Sequence, residues 1–430
     1  MIAAIAEPDE EKRRVVSERH DVAVAFAGAE EMFDAVDLDG VVIAVPHVLH
    51  YPIARAALEL GLHVLLEKPM TILPEHAREL AALARERAVE LVIGYPWHYN
   101  EQVLALREAI ASGRIGEIEY VSCLFASIVR ELYAGNPEAY REWQGNAVAL
   151  PGDRTYSDPA VAGGGQGQTQ ITHSAALMLW LTGLEVESVT AVSERFELDV
   201  DLVDALALRF GNGAVGALSS TGSVTMRQPE ILEYRIFGHD GHVLFDVNNG
   251  TASIHLAGGA VDRLPELPPA SRYPEGAPAD NLVDVVLGRA PNGSPAEVGV
   301  ASVELVDAMY RSARRGKAVR LGAGADRERV GHVWRVKPGK VHEYARLHKA
   351  IWPELEELLL DAGVSTYTIY AWGEILFSHL EADDFARLVE RFTDDPVARR
   401  WEEQFAEILE YPDADPESGW PERLREIWSL

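Results

Sequence analysis

At 430 residues the chain is about three times the size of a typical domain, so two or three domains are expected rather than one. Its 47% hydrophobic and 25% charged residues are those of a globular chain with substantial cores, which excludes long disordered or collagen-like stretches. Lys and Arg number 39 against 68 Asp and Glu, and the net charge of −29 repels phosphate backbones and anionic lipid, which argues against nucleic acid or a membrane as partner.

The start, Met1 to Glu7, runs straight into acidic Asp9 to Glu11, with no basic opening, long apolar stretch or cleavage site, so no secretion signal is expected. The most apolar segment, Val41 to Leu66, is broken by Pro46, His47, His50, Pro52, Arg55 and Glu59 and falls short of the run of about 20 residues that spans a bilayer. The lone Cys123 allows no internal disulfide, which favours a reducing, cytoplasmic setting and reads as an inert core residue.

From Ile2 to Ser112 short β-rich runs alternate with helical stretches. Strands are expected at Ile2 to Ala6, Val22 to Phe26, Val41 to Val45, His63 to Leu66 and Leu91 to Gly94, with crossover helices such as Pro52 to Leu60 and Pro74 to Val89. That rhythm predicts an α/β doubly wound parallel sheet over residues 1–115. After Gly116 the strands lengthen and alternate, as at Glu117 to Phe125, Glu187 to Val192, Ala205 to Phe210, Ala214 to Ser220 and Tyr234 to Phe237. With helices at Gln170 to Leu181 and Val298 to Arg315, residues 116–321 read as an α+β domain on an antiparallel sheet. A linker is expected over 322–329, rich in Gly, Ala and charge. The remainder, 330–430, carries strands at Val330 to Val336, Ser365 to Ala371 and Glu374 to Leu380, and helices at Val341 to Leu347, Glu354 to Asp361, Asp383 to Arg391 and Val397 to Leu409. This order predicts a ferredoxin-like α+β unit.

A dinucleotide site normally opens with a strand, a G-x-G-x-x-G turn and a helix whose N-terminus meets the pyrophosphate. The chain has one such string, Gly211, Gly213 and Gly216, but it lies between two alternating strands, where Asn212-Gly213 reads as a hairpin turn and no helix follows. The apolar run Ile2 to Ala6 ends in Glu7, as the second strand of a dinucleotide fold ends in an acid for the ribose, so the domain is expected to lack its first βα unit. Glu7 reads equally as a ribose ligand or a solvated turn residue.

Two further segments carry chemistry. Leu65-Leu-Glu67-Lys68-Pro69 puts a lysine just past a buried parallel strand, where α/β sheets place ligands; it reads either as a site residue or as a solvated lysine. In Gly163-Gly-Gly-Gln-Gly-Gln-Thr169-Gln-Ile-Thr-His173, a helix beginning by Thr169 would place Thr169 and His173 on one face, within reach of one pocket. His173 then reads as a proton acceptor or as a capping or core residue.

Together, Val45-Pro46 with His50, Glu67-Lys68-Pro69, Gly94-Tyr95, Gly113-Arg-Ile-Gly116, the triple glycine and His173 give residues 2 to about 321 a resemblance to the glucose-fructose oxidoreductase and inositol dehydrogenase family. The resemblance implies NAD or NADP as cofactor, a sugar or polyol as substrate, Lys68 as catalytic lysine and His173 as proton-transfer histidine. It further implies Glu7, Pro46, His50, Glu67 and Lys68 at the cofactor and Tyr95 and Thr169 at the substrate. Two departures stand out: the family's opening strand and glycine loop are not found, and Thr169 stands where the family places an acid.

In the last segment Tyr344 and His348 fall four apart on one helical face, a pairing an apolar seam does not require. A mutarotase takes a proton from the anomeric hydroxyl while giving one to the ring oxygen, which suits neutral donors and acceptors. Trp334, Tyr367, Tyr370, Trp372, Trp401 and Trp428 supply aromatic faces for a deoxy sugar or for core and dimer packing. With Ile351-Trp352-Pro-Glu-Leu355, Arg400-Trp401 and the expected terminal strand Glu426 to Leu430, residues 330–430 resemble L-rhamnose mutarotase. That implies His348 as the proton-transfer residue, Tyr344 assisting, Trp352 and Trp401 at the sugar, and a homodimer; Glu402 stands where the familiar pattern has a second tryptophan. The expected function is thus a sugar dehydrogenase-like module fused to a 6-deoxyhexose mutarotase. The alternative is an active mutarotase with a cofactor-free sugar-binding or dimerising module. No metal is expected, since the histidines lack ligand spacing.

Overall fold

The computed structural model describes residues 2–141, 150–321, 328–382, 384–410 and 423–424. The expected linker over 322–329 lies mostly outside the described residues, as do Trp428 and the expected strand Glu426 to Leu430. The chain forms two compact units, Met1–Leu321 and Gly322–Leu430.

The first unit opens with β1 (Ile5–Ala6), α1 (Glu10–His20), β2 (Ala25–Phe26) and α2 (Ala29–Ala35). It continues with β3 (Gly40–Ile43), α3 (His50–Glu59), β4 (His63–Leu66), α4 (Pro74–Arg87), β5 (Leu91–Ile93) and α5 (Glu101–Ala111). The strands are parallel, as the alternation predicts, but they do not make one sheet. β1 pairs with β2, and β3-β4-β5 form a separate sheet. The expected α/β alternation with parallel pairing is found, its strands falling into two parallel pieces among the described residues. The outer edge of β3 has no strand partner among the described residues, and Val42 on it is 54% exposed, which a strand inside a parallel sheet would not leave. Helices α3 and α4 cover β3–β5 with Ala54, Ala57, Leu58, Ala77 and Leu80 on Val64, Leu66 and Ile93.

After β6 (Ile118–Ala126) come a π turn at Gly167–Ile171 and α6 (Thr172–Thr182). β7 (Val186–Glu194), β8 (Val203–Phe210), β9 (Val215–Thr221), β10 (Ile231–Gly238), β11 (Gly241–Asp246), β12 (Thr251–Leu256) and β13 (Val261–Arg263) follow. Then come α7 (Ala277–Val286), α8 (Ala296–Arg315) and β14 (Val319–Arg320). The sheet order is β13-β12-β11-β10-β6-β9-β8-β7-β14. It is antiparallel except for β6 and β9, whose parallel pairing corrects the purely antiparallel expectation. One face takes α6 and α8 through Leu177, Leu181, Leu305 and Met309. Cys123 lies buried in this core, which pushes its thiol up to about 12. Gly213, at φ +88°, turns the β8–β9 hairpin, with Phe210 N–H on the Ala214 carbonyl at 2.9 Å; the glycine string is a hairpin, as its context predicts.

The second unit runs β15 (Glu328–Val336), α9 (Val341–His348), α10 (Pro353–Asp361), β16 (Val364–Trp372), β17 (Ile375–Ala382), α11 (Phe385–Asp394), α12 (Pro396–Glu403) and β18 (Leu409–Glu410). Its antiparallel sheet has the order β16-β17-β15-β18, with β19 (Arg423–Leu424) on β15. The helix expected at Val397 to Leu409 ends at Glu403. Tight turns follow, and Lys337 N–H takes the Ile408 carbonyl at 2.8 Å, drawing Leu409 into the sheet.

Candidate active sites

Lys68 leaves the C-terminal end of β4, and its amine donates to the Thr169 carbonyl at 3.2 Å. Enclosure lowers its pKa by desolvation, with Glu67 working the other way. The neighbouring Glu67 is raised by its own burial against the pull of Lys68. A Cβ at position 94 would come within 3.0 Å of the Glu67 carboxylate, so Gly94 makes room for the acid. His173, 6% exposed at the start of α6, has no hydrogen-bond partner on Nδ1. Burial, then the charges of Lys68 and His98, hold its pKa well below the usual histidine value, so the ring is neutral. Trp97 stands edge-on to His173 at 5.2 Å and to Tyr273 at 5.1 Å, a wall the sequence reading did not single out.

The other expected residues are placed differently. A π turn at Gly167–Ile171 lies between Thr169 and His173, which opens α6. The Thr169 hydroxyl is bonded to Tyr133 and to the Gly165 carbonyl, and only its carbonyl meets Lys68. Tyr95 is 1% exposed, with its hydroxyl on Thr172 Oγ1 at 3.0 Å and its ring 6.0 Å from that of His173. The His50 ring nitrogens lie 2.7 Å from Pro69 O and 2.9 Å from Val45 O, so the ring ties two loops together. Pro46 begins the 3-10 turn His47–Leu49, whose His47 is buried against the Ala162 carbonyl at 2.8 Å and pushed down to about 3, chiefly by burial. Glu7 Oε1 accepts the Asp9 N–H at 2.9 Å in the turn after β1.

These residues suit the reacting end of a nicotinamide cofactor: an enclosed amine just past the C-terminal end of a parallel strand and an unpartnered ring nitrogen at the start of α6. The pyrophosphate end is not matched among the described residues. The helix after β1, which follows the strand read as the fold's second, opens with Asp9 as cap and Glu10 and Glu11 in its first turn and is not the helix that meets a pyrophosphate. Nor do any three His, Cys, Asp or Glu side chains among the described residues gather as a metal ion would need.

In the second unit a cavity of about 890 Å³ is lined by Trp334, Tyr344, His348, Tyr367, Trp401 and Glu402, among others. Tyr344 and His348 fall on one face of α9 with ring centroids 4.1 Å apart. His348 Nδ1 donates to the Tyr344 carbonyl at 3.2 Å, leaving Nε2 as the ring's acceptor. Burial lowers the His348 pKa, partly offset by that carbonyl. Trp401 crosses His348 at 5.5 Å and Trp352 at 5.4 Å, both edge-on. Trp352 caps α10 and packs against Trp401, with the Arg400 guanidinium 5.5 Å from its ring. Tyr367, one of several aromatics in the sequence, also lines the cavity, its phenol raised by desolvation and then by the charge of Glu402.

Comparison with known proteins matches residues 1–95 to "Oxidoreductase family, NAD-binding Rossmann fold", 103–244 to "GFO/IDH/MocA C-terminal domain" and 329–430 to "L-rhamnose mutarotase". Among curated relatives, an uncharacterized oxidoreductase of Synechocystis is 32% identical over 36% of this chain and 42% of its own length. Inositol 2-dehydrogenase of Corynebacterium glutamicum is 33% identical over 27% of this chain and 35% of its own, so the chain spans well under half of these relatives. D-Glucoside 3-dehydrogenase of Escherichia coli is 24% identical over 74% of this chain and 90% of its own. Two solved structures share the fold. Levoglucosan dehydrogenase, complexed with NADH and levoglucosan, has TM-score 0.61 and 21% identity over 74% of this chain and 90% of that one. Aldose-aldose oxidoreductase from Caulobacter crescentus has TM-score 0.60 and 24% identity over 75% and 92%.

Proposed function

The chain joins domains of the GFO/IDH/MocA oxidoreductase family to an L-rhamnose mutarotase domain, and from that premise we propose a sugar-processing enzyme with two activities. Residues 330–430 interconvert the α and β anomers of L-rhamnose or a related 6-deoxyhexose. The observation that carries this reading is the neutral His348, its Nε2 left as acceptor inside an aromatic cavity. Ring opening removes the anomeric hydroxyl proton and protonates the ring oxygen. One imidazole nitrogen that takes and returns a proton, with the Tyr344 phenol beside it, serves both needs. The βαββαβ order and the strand order β16-β17-β15-β18 support a ferredoxin-like fold. The exposed Tyr370 and Trp372, at 61% and 75%, support a homodimer through this sheet.

Residues 1–321 act as an NAD(P)-dependent sugar or polyol dehydrogenase. Bound nicotinamide would exchange hydride with a sugar carbon. Lys68 donates to the reacting oxygen and favours its deprotonation, and His173 Nδ1 offers a neutral partner on the same substrate. The mutarotase then supplies the anomer whose hydrogen faces the cofactor.

Polarimetry after adding one pure anomer of L-rhamnose tests the first activity: exchange no faster than buffer, unchanged in His348→Ala, removes it. Fluorescence titration with NADH and NADPH, with and without L-rhamnose, tests the second. The second reading of residues 1–321 is a cofactor-free sugar-binding or dimerising module, and absence of saturable binding selects it.

A further inference from the structure

The glycine-rich turn before His173 is built around a carboxylate that no motif marks. Asp201 is 9% exposed, and its Oδ1 accepts the Gly165 N–H at 2.7 Å and the Tyr310 hydroxyl at 2.8 Å. Its Oδ2 accepts the Gly167 N–H at 2.7 Å, and its own carbonyl accepts Gln166 N–H at 2.9 Å. The glycines are there because the acid and the tyrosine approach so closely. A Cβ at position 165 would lie 2.0 Å from the Asp201 carbonyl oxygen, and Cβ atoms at 164 and 167 would lie 2.2 and 2.5 Å from the Tyr310 hydroxyl.

Two N–H groups tied to one carboxylate set the start of the π turn at Gly167–Ile171, in which Thr172 N–H reaches back to the Gly167 carbonyl. Such widened turns recur at functional sites because they re-aim backbone groups. Here the re-aimed group is the Thr169 carbonyl, which accepts the Lys68 amine at 3.2 Å. The Thr169 side chain brings no charge, and its hydroxyl is committed to Tyr133 and Gly165.

We propose that Asp201 is a positioning residue for Lys68: by holding the 165–167 backbone it fixes the carbonyl that receives the catalytic amine. This deepens the oxidoreductase reading and rests on it. The ionisable groups facing Asp201 are Asp204, Tyr133 and Tyr310. Those facing the amine are Glu67, His47, His50 and His173.

The test needs no turnover. The full chain is labelled with acetic anhydride over a pH series, and Lys68 acetylation is read by peptide mass spectrometry against exposed Lys349 as internal standard. A carbonyl acceptor stabilises the ammonium, so releasing it moves the Lys68 midpoint to lower pH. Asp201→Asn is expected to raise labelling near neutral pH by about threefold or more. Tyr310→Phe removes one of the carboxylate's donors while keeping the ring; it is expected to shift the midpoint less, in the same direction, and carries the test if Asp201→Asn fails to fold. Folded variants that label at the wild-type rate with the wild-type midpoint overturn the proposal and leave Asp201 a structural brace. Failure of NADH and NADPH to bind the wild-type chain is a separate result and concerns the oxidoreductase reading alone.

Discussion

His348 Nδ1 lies 3.2 Å from the carbonyl oxygen of Tyr344, one helical turn before it. That contact places the ring proton on Nδ1 and makes Nε2 the basic atom, and burial keeps the ring neutral below the ordinary value of 6.5. His348→Ala is expected to slow anomer exchange about 10²–10⁴-fold, the usual contribution of a positioned acid–base group. Because the unprotonated ring is the working form and its pKa is lowered, kcat/KM should stay level as pH falls to 6.5 and decline only at lower pH. Exchange rates measured by NMR over a pH series check both statements. An acid limb centred above 6.5 would exclude His348 as the base.

Trp352 touches Trp401 edge-on at 5.4 Å. Aromatic pairs of this geometry contribute about 0.5–1.5 kcal/mol beyond area burial. Trp352→Ala should therefore raise KM for the sugar by up to about tenfold with little change in kcat, whereas Trp401→Ala, which removes the wall itself, should raise it further. Anomer-exchange kinetics at varied sugar concentration separate the two.

The Asp204 carboxyl is pushed up to about 9, first by burial and then by the neighbouring Asp201, against a hydrogen bond from Ser193. Its unfolded value is 3.8, so between the two the folded chain holds a proton that the unfolded chain has lost. The sign is set: this group's contribution is full below pH 3.8, erodes as pH rises and is spent above about 9. Asp204→Asn imitates the protonated acid and should flatten that decline. Thermal melts at several pH values from 5 to 9 check it, and a variant whose melting falls with pH as steeply as wild type would contradict it.

Much of this was legible because period and chemistry agree. Val203–Phe210 alternates in burial as its sequence alternates, Asn212-Gly213 is the hairpin its context predicts, and Lys68 stands past β4 where the motif puts it. Tyr344 and His348 meet because a four-residue spacing on a helix puts side chains together. What escaped depends on contacts distant in sequence. Asp201 reads as one charge in an acidic turn, and only the fold brings it to Gly165 and Gly167. The π turn at Gly167–Ile171 adds a residue to the helical repeat that no spacing rule anticipates. Glu402 to Leu409 keeps helical composition, but bonds from Phe405 to Glu402 and from Ile408 to Phe405 tighten the chain so that it can join β15. The strand β13 is exposed along its length, so no apolar alternation announces it.

The Lys68 amine links the end of β4 to the glycine turn through the Thr169 carbonyl. Desolvation opposes its charge, and a methionine of similar length removes the charge and keeps the stem. Lys68→Met should therefore fold and melt no lower than wild type, while sugar-dependent reduction of NAD or NADP falls about 10²-fold or more, as expected when a positioned donor to a developing oxyanion is lost. Lys68→Arg keeps the charge but brings a planar fork that a single carbonyl does not match, and should rescue poorly. Cofactor reduction followed by absorbance, beside a melting curve for each variant, separates lost chemistry from lost folding. Equal reduction rates in Lys68→Met and wild type would remove Lys68 from the reaction.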